Sequence, residues 1–179
     1  MRTKLLPILF AFAMILTSEA TAQKFSDLDK SPADIASFPS SYKIADKAVK
    51  VTYSRPQLKE RSISKLAPEG KVWRTGANEA TEITFYKDVT FGGKNVKAGT
   101  YSLFTIPNND EWTIILNSNL NQWGAYTYDE SADVVRVSAK ASSAKDSLEA
   151  FSIAFKEVEK GTHMVMGWGT VRIATPITF

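Results

Sequence analysis

Arg74, Asn78 and Glu79 stand close together in the run Val72-Trp73-Arg74-Thr75-Gly76-Ala77-Asn78-Glu79-Ala80-Thr81, directly before an alternating segment at 81–86. A planar cation, an amide and a carboxylate beside an indole can grip a small polar molecule. The Arg fork matches carboxylate or phosphate, and a Trp face stacks on a sugar or a guanidinium. Gly76 is read as the residue that lets this loop turn sharply. A second polar run, Thr52-Tyr53-Ser54-Arg55-Pro56, supplies another fork. Asn121-Gln122-Trp123-Gly124-Ala125-Tyr126-Thr127-Tyr128 combines ring faces with amides, a composition that suits carbohydrate. The candidate ligand-binding residues are therefore Arg55, Trp73, Arg74, Asn78, Glu79 and Trp123.

A plainer reading competes for the same residues and leads for the Arg-rich loops. Arg55 or Arg74 pairs with Glu79 or Glu82 to tie two loops together, Trp73 fills the core, and Asn78 closes an Asx-turn. Trp112 and Trp168, in or beside strand-like runs, are read as core.

Other chemistries find less support. His163 is the sole histidine and there is no cysteine, whereas transition-metal sites draw on several such ligands. A Ser–His–Asp triad would need that same His163, and no nucleophile-elbow glycine pattern accompanies any serine. Glu79 and Glu82 form a conceivable glycosidase pair, which requires two carboxylates flanking one bond. Asp129-Glu130-Ser131-Ala132-Asp133 lacks the glycine and ligand spacing of a calcium loop. No catalytic residue, metal ligand or cofactor is assigned.

The elements that must position these residues have period two. Val49, Val51 and Tyr53 alternate with Lys50, Thr52 and Ser54; Thr81, Ile83 and Phe85 with Glu82, Thr84 and Tyr86; Val135, Val137 and Ala139 with Arg136, Ser138 and Lys140. Such alternation buries one face of a strand. Further strands are predicted at 99–106, 111–117, 151–158, 164–168 and 170–174, with turns at 92–95, 107–110 and 159–162. Pro176 lacks a backbone donor, which places the last segment at a sheet edge. One helical turn is predicted at 62–66. The pattern predicts an all-β fold: a single antiparallel β-sandwich, jelly-roll-like or a partly closed barrel, with little helix.

Arg2 and Lys4 precede an uncharged apolar run at 5–16, and Ala20-Thr21-Ala22 offers a small-x-small cleavage site. This is the pattern of a signal peptide over 1–22, with an apolar run shorter than the roughly 20 residues that span a bilayer. Residues 23–40 follow as an N-terminal arm, with a possible helical start at 31–34, and residues 41–179 as one β domain. The expected product is exported, periplasmic or extracellular, and soluble. It is not inserted in the membrane after cleavage, and without cysteine it cannot be a lipoprotein. Loss of Arg2, Lys4 and Glu19 with the leader lowers the formal charge from +3 to +2. No concentrated basic stripe marks a nucleic-acid binder.

The order YSRP (53–56), KVWRTGANEATEI (71–83), AGTYSLFTIP (98–107) and WTIILN (112–117) resembles the secreted family called domain of unknown function 2911 (DUF2911), over roughly residues 38–179. The resemblance implies export, a predominantly β domain and no established activity, and it carries over no catalytic residue. Three functional readings stand. The first is an exported non-catalytic β domain that binds a small polar or saccharide ligand. The second is a carboxylate-dependent hydrolase acting on glycans, and the third a structural or envelope-interaction protein.

Overall fold

Alternation of residue type along the chain becomes alternation of burial. In the computed structural model, which describes residues 24–179, nine strands form: β1 (Ala33–Phe38), β2 (Val49–Ser54), β3 (Thr81–Phe85), β4 (Val89–Phe91), β5 (Lys94–Val96), β6 (Gly99–Ile106), β7 (Glu111–Asn117), β8 (Asp133–Val158) and β9 (Gly161–Thr178). The signal peptide expected at 1–22 lies outside the described residues. All pairings are antiparallel, in the order β1-β2-β3-β6-β7-β8-β9-β4-β5. The fold is the expected all-β architecture with almost no helix. The predicted helical turn is α1 (Ile63–Leu66), capped by the Ser62 side chain, which accepts the Lys65 N–H.

Val49, Val51, Ile83, Phe85, Leu103, Ile114 and Leu116 point to one face and are fully or almost fully buried. The sheet folds over that face. The first part of β8 pairs with β7, from Asn117↔Asp133 to Glu111↔Lys140, and the remainder pairs with β9. Breaks in register between Ser143, Leu148 and Ser152 interrupt this ladder and let the long hairpin bend. Its far half returns over the core, so that Tyr53 Oη accepts the Ile153 N–H at 3.0 Å. At its tip, Gly161 lies so close to the end of β9 that a Cβ there would fall 2.1 Å from the Ile177 carbonyl oxygen. Only glycine fits.

Four corrections follow from these pairings. Residues 33–38 are not an arm with a helical start but strand β1, paired from Ala33↔Ser54 to Phe38↔Val49. The free edge of β2 recruits them, and Ala36 and Phe38 pack against the core. The segments 135–141 and 151–158 belong to one strand, as do 164–168 and 170–174, with Gly169 (φ +51°) inside β9. The turn expected at 92–95 forms at Gly92-Gly93, but the two strands it joins, β4 and β5, were not expected because they are too brief to show a period. Pro176 lies inside β9 where pairing with β8 has ended, and its carbonyl accepts the Gly92 N–H at 2.8 Å.

A second, smaller core sits on the opposite face. Phe104 and Ile115 are cross-strand partners there, and Ala80 joins them. Val72, Ile106, Ala125 and Tyr128 pack around these three. The segment 118–132 therefore lies over the outside of the sheet as an anchored cover.

Candidate functional site

Residues 73–81 are locked to the sheet at both ends. Trp73 and Thr105 exchange backbone hydrogen bonds of 2.7 and 2.9 Å, and the Thr81 N–H donates to the Arg74 carbonyl at 3.1 Å. The buried Thr81 hydroxyl donates to the Thr75 carbonyl at 2.7 Å. The sharp turning falls on Thr75 (φ +54°) and Asn78 (φ +60°), not on Gly76. Gly76 serves close packing instead: a Cβ there would be 3.0 Å from both the Ser54 carbonyl and the Thr81 hydroxyl.

Side chains alternate across this extended piece. Trp73 points inward and is 5% exposed. It stacks on Trp168 (5.4 Å, 10°) and meets Trp112 and Phe151 edge-on. That burial removes Trp73 from any ligand surface and agrees with the core reading. Arg74 points outward, under the cover.

The expected Arg–Glu pairing is absent. Arg55 bonds instead to Asp34 (3.1 Å), the Phe151 carbonyl (3.1 Å) and the Ser152 hydroxyl (2.7 Å). It fastens β1 and the end of β2 to the returning half of β8, which is a structural position. The acid that holds it sits in β1, the segment read as an arm. Arg74 has no ion pair among the described residues, and its Nε is buried without a partner.

The other candidates converge on the cover. Glu79 forms an isolated antiparallel bridge with Trp123, and directly opposed residues in such a bridge project to the same side. Asn78 contributes its carbonyl, which accepts the Gly124 N–H at 3.0 Å. With the Ser31 N–H as the larger influence, the Asn78 amide also helps hold the exposed Asp29 carboxyl below its usual range. Trp123 is 62% exposed and Tyr126 is 83% exposed. Gly124 (φ +71°) lies between them, where a Cβ would meet the Tyr126 ring at 2.7 Å and Arg74 Nη1 at 3.6 Å. Gly124 and Tyr126 were visible in the sequence only as parts of an aromatic run.

Residues 31–177 match the model of a family described as Protein of unknown function (DUF2911). The chain belongs to that family. The match takes in β1 as well as the larger sheet, so this strand is part of the DUF2911 domain and not an arm leading into it. No curated protein and no solved structure matches the chain.

In this DUF2911 domain the cover is fixed along its length. The Ala80 N–H donates to the Gln122 carbonyl (2.8 Å), the Asn121 N–H to Glu82 Oε1 (3.0 Å), and the Thr127 hydroxyl to the Gln122 side chain. At its far end Tyr128 donates to Asp133 at 2.6 Å, while Asn117 and Arg136 also donate to that carboxylate at 2.8 and 3.2 Å. Burial, and then the bond to Asp133, pushes the Tyr128 hydroxyl well above the ordinary phenol range. The ring-bearing ledge is thus carried on a rigid support.

Beside the ledge is a depression of about 100 Å³ lined by Thr52, Ser54, Glu79 and Glu82 among others. His163 lies partly buried in β9, opposite Lys156. Among the described residues, no group of three or more His, Cys, Asp and Glu side chains is placed to hold a metal ion. No helix among them is long and apolar enough to cross a membrane.

Proposed function

We propose that this DUF2911 domain is an exported, non-catalytic binding module that holds a small polar or saccharide ligand on the ledge of Arg74, Glu79, Trp123 and Tyr126. The observation that carries this reading is the pair of exposed rings beside an arginine that has no ion pair among the described residues. Large aromatic faces left to water on a rigid loop are typical of surfaces that stack on sugars. A guanidinium and a carboxylate on the same ledge supply donors and an acceptor for hydroxyl groups. Of the original candidates, Arg55 and Trp73 serve the fold, Asn78 shapes the loop, and Arg74, Glu79 and Trp123 face the ligand.

Titration of the full chain with a panel of mono- and oligosaccharides, followed by tryptophan fluorescence and calorimetry, tests the reading. Binding lost in Trp123→Ala and retained in Tyr42→Ala supports it. A panel that leaves fluorescence and heat unchanged overturns it. Export is checked by N-terminal sequencing of the secreted or periplasmic product, with Gln23 expected as the first residue.

A second reading, a carboxylate-dependent hydrolase, draws on the fact that Glu79 and Glu82 line one depression. Glycosidases use two carboxylates in this manner. Its test is turnover of chromogenic glycosides that disappears in both Glu79→Gln and Glu82→Gln.

A further inference from the structure

Resting on the binding reading, we infer that the ledge selects a carboxylate-bearing sugar, with the carboxylate taken by the Arg74 guanidinium and the ring set against Trp123 and Tyr126. Among the described residues Arg74 Nε is buried without a partner, and no salt bridge includes the side chain. Glu79, on the ledge itself, forms no salt bridge among the described residues, and three further acids are engaged elsewhere. Glu82 accepts the Asn121 N–H, Asp133 is held by Tyr128, Asn117 and Arg136, and Asp34 is held by Arg55. A guanidinium whose outer nitrogens carry no ion pair is a ready receptor for an anion from solution.

The backbone decides which anion. Phosphate sites gather several main-chain N–H groups into a concave nest. Here four neighbouring N–H groups are already committed: Gly124 to Asn78, Ala80 to Gln122, Thr81 to Arg74 and Asn121 to Glu82. A phosphate would find one cation and none of these four donors. A carboxylate is satisfied by one guanidinium fork.

Glu79 sharpens the choice. It shares a side of the ledge with Trp123, where its negative charge disfavours a dianion and its oxygens accept from sugar hydroxyls. The identity of Gly124 fits the same picture, because a side chain there would press on the Tyr126 ring and approach Arg74 Nη1.

The experiment compares glucuronate, glucose and glucose 6-phosphate by calorimetry at low salt, on the full chain and on Arg74→Met, Arg74→Lys and Trp123→Ala. Glucuronate should bind about tenfold more tightly than glucose, the scale of one charge-assisted pair. That preference should vanish in Arg74→Met, survive in part in Arg74→Lys, and shrink as salt is raised. Circular dichroism of each variant controls for folding. Equal affinity for glucuronate and glucose, or tighter binding of the phosphate, overturns the carboxylate inference while leaving the binding reading intact. Absence of all three interactions overturns the inference, whereas the broader saccharide panel alone decides the binding reading.

Discussion

Replacing Arg74 by methionine should leave the protein at least as stable as the parent, which is the opposite of what a structural arginine would give. Methionine keeps most of the apolar stem of the side chain, so the packing lost is small. The substitution removes a buried donor that has no partner, and such a group costs roughly 1–3 kcal/mol. Because the residue is only partly buried, the expected gain is the lower part of that range, about 1–2 kcal/mol. For a domain of this size that is a rise in Tm of roughly 2–8 °C. Had Arg74 been one half of a buried ion pair, its removal would instead cost about 3–5 kcal/mol. The assay is urea unfolding followed by circular dichroism and by the fluorescence of the four tryptophans. Parent and variant should share the same m-value, so that a shift in midpoint reads stability alone. A loss of about 2 kcal/mol or more would refute the reasoning, since it would show the guanidinium tied into the fold.

Arg55→Gln should behave in the opposite sense. It breaks the contacts to Asp34, Phe151 and Ser152, and with the side chain 36% exposed the expected loss is about 1–2 kcal/mol in urea unfolding; no loss would mean the staple is idle. Gly161→Ala sets a Cβ against the Ile177 carbonyl at φ +142°, and an expected loss of about 3 kcal/mol or more should appear as poor soluble yield and a lowered Tm. A normal melt would show that the hairpin tip does not return to the end of β9. Burial pushes the Tyr53 and Tyr128 hydroxyls up, so two of the six tyrosines should titrate above the ordinary value of about 10 when absorbance at 295 nm is followed. Folding favours their neutral forms: the stability they contribute is complete below pH about 10 and is lost as pH rises through the raised folded values. A single titration step near 10 for all six would contradict the burial.

The legible parts of the fold were those governed by local alternation. Thr81, Ile83 and Phe85 announced β3, Gly99–Ile106 and Glu111–Asn117 were bounded as they fold, and Ser62 marked the start of α1. β1 escaped because Ser31-Pro32-Ala33-Asp34 imitates a helix start, while its strand character comes from the open edge of β2. At the site, the Arg, Asn and Glu of 74–79 and the aromatic run of 121–128 were visible as two separate stretches. Their meeting was not, because the Glu79–Trp123 bridge joins segments with no sequence signal connecting them.

The amino-acid order by itself determined which residues face a core and which face outward, since side-chain direction in an extended chain is a local property of period two. It settled the strand class, the turns and the inventory of polar groups. Tertiary structure alone decided which arginine is ion-paired and which has no ion pair among the described residues. Asp34 reaches Arg55 only because β1 lies beside β2, and Glu82 turns to Asn121 only because segment 118–132 crosses the outer face. Charge pairing depends on distances across space, and those are fixed by strand order and by the fold of the sheet, neither of which the local period encodes.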